Sequence, residues 1–164
     1  MNKKVFFLLL ALIVPVLVFT FLKFFGKNEF AVEPLYQTTE AQIPPECSDI
    51  KVPYFISDSI YSFLKQGHEV DSLLIILYEN KTKDLKISDV QLTRVQESFQ
   101  LGTGLGLKRI SLGDKSIVCG LLLQSSLDLV LVDAKKRIRG QYNSNDRDEM
   151  DRLMTELDII LKRY

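Results

Sequence analysis

The usual stock of catalytic and metal-binding side chains is thin in this chain of 164 residues. It has one histidine, His68, and two cysteines, Cys47 and Cys119. Two cysteines are too few for a disulfide-stapled scaffold. A basic excess is also missing, since 21 basic residues face 21 acidic ones. With Lys3, Lys4, Lys23 and Lys27 set aside, 17 basic residues remain against those 21 acidic ones. A nucleic-acid partner requires a basic face, so that class is excluded. The glycine run Gly102-Thr103-Gly104-Leu105-Gly106 is followed by no Gly-Lys-Ser/Thr, and position 107 is Leu where a dinucleotide fingerprint has Gly. Nucleotide binding is excluded with it, and the run reads as a connection from helix to strand. Ser125 and Ser126 have no base beside them, so nucleophilic catalysis is not expected. His68 lies in the polar stretch Lys65-Gln66-Gly67-His68-Glu69 and reads as a solvated surface residue. No repeat and no low-complexity run is present.

Two further absences divide the chain. No acidic residue precedes Glu29, and no proline follows Pro53. Within the acid-free part, Val5 to Leu22 is an apolar run whose single polar member is Thr20. As a helix it would span roughly 27 Å, close to the thickness of a bilayer's hydrocarbon core. Pro15 inside it is tolerated better in a membrane helix than in a soluble one. Lys3 and Lys4 precede the run as in a signal sequence, and Phe21-Leu22-Lys23-Phe24-Phe25 offers no small-residue cleavage site. Residues 1–27 therefore read as an uncleaved signal anchor in preference to a cleaved signal peptide. The short N-terminal tail is expected inside and the rest of the chain outside the cytoplasm. Pro34, Pro44, Pro45 and Pro53 make residues 28–52 read as an extended, proline-bearing tether. Residues 53–164 are then the folded domain.

That domain alternates its elements. Ser72 to Tyr78 is a continuous apolar run, the pattern of a strand buried on both faces. Ile87, Val90, Leu92, Val95 and Phe99 form a helical stripe that Gly102 would stop. Leu107–Leu112 reads as a second strand, and the apolar stretch 118–123 fits either helix or strand. Leu127–Val132 is a third strand, turned at Asp133-Ala134-Lys135-Lys136 and paired with Arg137–Tyr142. Asp146 with Glu149 predicts a capping box. Met150, Leu153, Met154, Leu157, Ile160 and Leu161 give the following helix one apolar face, with Lys162 and Arg163 at its dipole-favoured end. The order strand, helix, strand, strand, hairpin strand, helix predicts an α/β domain of thioredoxin-like arrangement.

Within this order, Leu131-Val132-Asp133, Arg137-Ile138-Arg139-Gly140-Gln141-Tyr142 and Asp148-Glu149-Met150-Asp151-Arg152-Leu153 resemble the C-terminal third of Sco/SenC proteins. Thr93-Arg94-Val95-Gln96-Glu97-Ser98-Phe99 is similar to that family's first helix, and Pro34-Leu35-Tyr36 and the anchor fit its bacterial members. The resemblance implies a thioredoxin-like fold, membrane anchoring, and copper delivery or thiol chemistry during cytochrome c oxidase assembly. It also implies a Cys-x-x-x-Cys motif after the first core strand and a His before the hairpin. Those positions fall on Lys81, Leu85 and Ser125 or Ser126. Cu(I) requires soft thiolate or imidazole donors, which none of these supplies.

The leading expectation is a non-enzymatic, Sco-like accessory protein with a degenerate copper and redox site and no cofactor. Its partner would be an oxidase-assembly factor or an active Sco paralogue. The alternative is a copper carrier or thiol oxidoreductase using Cys47 and Cys119, placing their Cα atoms within about 6 Å of each other. From the residues alone the cysteines read as a disulfide, two unrelated thiols, or a metal or redox pair. Met150 and Met154 are spaced like a Cu(I) pair, but they share the apolar helix face and read as core. Lys135, Lys136, Arg137 and Arg139 are expected at a solvated hairpin tip, available to anionic headgroups or an acidic partner.

Overall fold

A computed structural model describes residues 3–25, 31–38, 43–47, 50–66, 73–79, 84–99, 104–111 and 115–161. The chain divides into two units, Met1–Ala31 and Val32–Tyr164. The first unit is helix α1, Lys3–Phe25, long and apolar enough to cross a membrane, with a mean hydropathy of 2.6 over Lys3–Phe21. Its 23 residues would extend roughly 35 Å. Pro15 lies inside the helix and has no N–H to donate. Thr20 returns its hydroxyl to the Val16 carbonyl, at 2.7 Å.

The second unit runs α2 (Asp58–Lys65), β1 (Leu73–Glu79), α3 (Leu85–Ser98), β2 (Leu105–Ser111), α4 (Lys115–Gly120), β3 (Leu129–Asp133), β4 (Ile138–Tyr142) and α5 (Arg147–Leu161). The sheet order is β2-β1-β3-β4. β1 runs parallel to β2 and antiparallel to β3, and β3 runs antiparallel to β4. β1 is therefore an inner strand, which accounts for its unbroken apolar sequence. Leu73, Ile75 and Leu77 join one core with Leu129, Leu131, Tyr142, Leu92 and Val95 of α3 and Met150, Leu153, Leu157 and Ile160 of α5. Leu74 and Ile76 join the other with Val130, Val132, Ile138 and Leu64 of α2, together with Leu121 to Leu123 after α4.

Residues 32–38, 43–47 and 50–56 complete that second layer, and here the expected tether is corrected. Tyr36 is 3% exposed and Cys47 5%, and Ile56 is buried with them. Leu35 N–H donates to the Ile138 carbonyl at 2.8 Å, and Ile56 N–H to the Lys136 carbonyl at 2.9 Å. Prolines favour extended backbone, and extended backbone can lie along a sheet as readily as it can bridge a gap. The apolar residues between the prolines decide for the sheet. The folded unit thus begins at Val32, not at residue 53.

Two short helices were not resolved by the sequence pattern. α2 is amphipathic over only eight residues, and six-residue α4 shares only Val118 to Gly120 with the stretch that fitted either class. α3 turns a different face inward than the stripe predicts. Ile87 and Val90 are exposed, Val90 at 62%, whereas Ser88 is buried beside Leu92 and Val95. Polar partners for the Ser88 hydroxyl, described below, make that rotation favourable. At α5, Asp146 Oδ1 accepts from Asp148 N–H at 2.9 Å. Glu149 pairs instead with Arg152, at 2.8 Å, so the reciprocal half of the capping box does not form. Ser72, Gly102, Leu112, Lys162 and Arg163 lie outside the described residues.

Candidate functional site

The β3–β4 hairpin is built by Asp133. Its Oδ1 accepts from the backbone N–H groups of Lys135 and Arg137, both at 3.0 Å. Its Oδ2 takes the Arg137 guanidinium at 2.7 Å. Lys136 has a φ of 62°, the left-handed conformation that the turn demands. Beyond the turn, Val132 faces Ile138 and Leu131 faces Gly140, so Arg139 is an extra residue in β4. This bulge redirects its side chain. Arg139 is only 8% exposed; it lies 3.6 Å from Asp133 Oδ2 and donates to the Val32 carbonyl, and its Nε has no partner among the described residues. Lys136 is paired with Asp58. The four basic residues expected at the hairpin tip are divided: Lys135 is exposed and Lys136, paired with the exposed Asp58, is partly so, whereas Asp133 holds Arg137 and Arg139 against the hairpin.

A cleft of about 530 Å³ borders the bulge, between Val32 to Leu35 on one side and Glu149, Arg152 and Glu156 of α5 on the other. Tyr142 lies fully buried beside it and donates to Glu156 at 2.5 Å. Arg152 stacks on the Tyr142 ring at 4.8 Å, donates to the Gln141 carbonyl at 2.7 Å, and pairs with Glu149. Burial, with the Glu156 carboxylate added, pushes the Tyr142 hydroxyl well above its ordinary value near 10. Burial likewise raises Tyr36 and Tyr54. These groups satisfy one another, and the result is an ordered wall between β4 and α5.

At the other end of the sheet, the end of β1, the start of β3 and the end of β4 converge on a second polar cluster. Asp128 is buried and accepts from Ser144 N–H at 2.7 Å and from its hydroxyl at 2.6 Å. The Ser144 and Ser88 hydroxyls are 2.6 Å apart. Asn145 Nδ2 donates to the Asp84 carbonyl at 2.8 Å, and its Oδ1 accepts from Asp84 N–H at 3.0 Å. Hydroxyls, amides and one carboxylate thus tie the first turn of α3 to the loop after β4. Sequence reasoning missed this cluster; its one legible signal is the run of small polar residues Asn143-Ser144-Asn145-Asp146.

Of the positions implied for copper ligands, Leu85 opens α3 and is 45% exposed, and Ser125 is exposed before β3. Lys81 and His68 lie outside the described residues. No cluster of three His, Cys, Asp or Glu suited to a metal occurs among the described residues. Met150 is fully buried in the α5 core, with Met154 packed against it. Gly104 has a φ of 101° and its carbonyl accepts from Leu73 N–H at 2.9 Å, so this glycine serves the entry into β2.

Cys47 and Cys119 form a disulfide with Cα atoms 5.3 Å apart. Of the readings the residues left open, the bonded pair is the one the structure contains. The bond joins residues 43–47 to α4 beside a cleft of about 440 Å³ lined by Pro44, Pro45, Cys47, Val118 and Leu123. It holds both of the chain's cysteines, so in this state neither offers a thiolate.

The chain matches no protein-family model, no curated protein and no solved structure.

Proposed function

We propose that this is a thioredoxin-like, Sco-like accessory domain on a membrane anchor, acting by partner binding and not by catalysis. The observation that carries the fold assignment is the strand order β2-β1-β3-β4 with β3 alone reversed. A helix follows β1, and α5 packs on the same face. This arrangement is the one thioredoxin-like domains use, and it agrees with the resemblance in the hairpin and α5. The functional reading rests on what occupies the end of β1. A metal or redox centre there needs soft, titratable donors. Among the described residues there, Leu85, Ser88, Ser144 and Asn145 offer none, and the Asp128 carboxylate is a hard oxygen donor already bonded to Ser144. Partner binding at a retained scaffold is then the simplest use of the domain, and an oxidase-assembly factor or a Sco paralogue is the partner the resemblance suggests.

The disulfide supports the extracytoplasmic side, because such bonds persist in oxidising compartments. We read the domain as facing the periplasm from a single-pass inner-membrane anchor. The runner-up, a copper carrier or thiol oxidoreductase, draws on the same bond, whose Cα separation is within the range it requires.

Two measurements test the reading. The full chain, in detergent and reduced, is titrated with Cu(I) against a competing chelator beside a Cys47→Ser/Cys119→Ser variant. Equal uptake by the two is expected; one extra equivalent in the parent would replace partner binding with copper carriage. Cross-linking in native membranes should then recover an oxidase-assembly component. Its absence from the cross-linked products would remove the respiratory assignment.

A further inference from the structure

The two faces of the sheet are covered in different ways. One carries the long helices α3 and α5, joined by the Arg94–Asp151 pair at 2.8 Å. The other carries two short helices and a strap formed by residues 32–38, 43–47 and 50–56. The strap has few backbone ties to the sheet. Leu35 reaches Ile138 and Ile56 reaches Lys136, while Tyr54 N–H bonds back to Tyr36 within the strap. Side chains add the Tyr54 hydroxyl on the Gly120 carbonyl at 2.8 Å and Gln37 on the Tyr54 carbonyl at 2.9 Å. The covalent tie is Cys47–Cys119. Cys119 is half-buried, and Cys47 forms a wall of the adjoining cleft.

We propose that Cys47–Cys119 is a thiol–disulfide exchange site, and that its reduction by a dithiol releases the strap from the sheet while the α3/α5 side stays folded. Four observations carry this. Cys119 is partly exposed, and Cys47 lines the adjoining cleft. The bond fastens a layer that, among the described residues, has no strand pairing and is held to the sheet side by the Leu35–Ile138 and Ile56–Lys136 backbone bonds and by Tyr36–Gln141 and Arg139–Val32; segments tied so sparsely open at lower free energy than a helix-covered core. The α3/α5 core takes only Val32, at its margin, from the strap. The polar cluster of Asp128, Ser144, Ser88 and Asn145 uses no strap residue either.

In the exchange, a thiolate of the dithiol attacks Cys119 Sγ. A mixed disulfide forms, and the Cys47–Cys119 bond breaks. Cys47 leaves as a thiolate and takes a proton from solvent in the cleft that it lines. The second thiol of the reagent, losing its proton, then attacks its own partner sulfur and frees Cys119, which is protonated in turn. Two electrons and two protons pass to the protein, and the dithiol ends as a disulfide. The proposal holds whether or not the partner-binding reading does.

The test uses the full chain in detergent micelles, treated with dithiothreitol without denaturant and followed by hydrogen exchange with mass-spectrometric readout. The bond is expected to open under these conditions. Amides of Leu35, Cys47, Tyr54 and Ile56 should then exchange at least about 10-fold faster, with those of Leu129–Asp133 and Met150 unchanged. The Cys47→Ser/Cys119→Ser variant should show the same pattern without reductant. A bond that opens only in denaturant overturns the proposal. So does a strap that keeps its protection after reduction, or a β3 and α5 that lose theirs in step with it. A double variant unable to fold would overturn it too, by making the bond a condition of the fold.

Discussion

Replacing Gly140 with alanine should be among the costliest single changes in the hairpin, and the reason is Tyr142. A Cβ on Gly140 would lie 2.0 Å from the Tyr142 hydroxyl oxygen, 2.5 Å from Cζ and 2.8 Å from Cε2. The backbone is not the obstacle, since Gly140 is not among the residues with positive φ. The ring could move aside cheaply if it were free. It is instead fully buried, hydrogen-bonded to Glu156 and stacked under Arg152. Forcing a methyl into a packed site costs about 1–3 kcal/mol. Breaking a hydrogen bond to a charged group costs about 1.5–3 kcal/mol. The two overlap, because the same ring shift causes both, so the expected loss is about 3 kcal/mol. Urea unfolding of the full chain in mild detergent, followed by tyrosine near-ultraviolet dichroism, would measure it. The decisive control is Tyr142→Leu, whose side chain does not reach back over position 140. In that background Gly140→Ala should cost less than about 1 kcal/mol, a coupling of about 2 kcal/mol. Equal costs in both backgrounds would refute the account, because the methyl would then be meeting something other than the ring.

Other perturbations have defined outcomes. Tyr142, Tyr36 and Tyr54 all have hydroxyls raised above 10 by burial. A group raised in the folded state contributes fully below its unfolded value, and that contribution is lost as pH climbs above it. Stability should therefore fall above about pH 10, and Tyr142→Phe should flatten the fall; phenolate absorbance appearing for all tyrosines well before unfolding would contradict this. Ser144→Ala removes a hydroxyl donor from the buried Asp128 carboxylate and should cost about 2 kcal/mol in the same urea assay. A loss under about 0.5 kcal/mol would mean that water replaces the hydroxyl. Asp133→Ala removes the side-chain acceptor of two backbone N–H groups together with the Arg137 pair, and should speed amide exchange at Lys135 and Arg137 by at least about 10-fold.

Where sequence and structure agree, one local pattern was enough. β1 is apolar on both faces because it is an inner strand. The hairpin is bounded by an aspartate and a lysine pair, and α5 presents Met150, Leu153, Leu157 and Ile160 at helical spacing. Where they differ, a distant partner decided. Ser88 turns inward because Ser144, 56 positions away, supplies its hydrogen bond. Arg139 reads as a tip residue by its neighbours, and only the bulge opposite Leu131 and Val132 buries it. The strap reads as spacer by its prolines, and only the sheet face gives Tyr36 and Cys47 somewhere to go. The pairing of the two cysteines was equally illegible, since 72 positions separate them.

The strap's attachments also set an order of events in time. The Tyr36 hydroxyl donates to Gln141 across 105 positions, and the Val32 carbonyl receives Arg139 across 107. A chain made from its N-terminus produces the strap early and its docking strand late. Contacts of such long range are expected to form after the local hairpin and helices. The strap should therefore wait, with Cys47 a thiol, until β4 exists to receive it. In a pulse-labelled translation series, the Cys47–Cys119 bond should be absent from every nascent chain too short to expose Tyr142, and its early appearance would show that the cysteines find each other without the sheet.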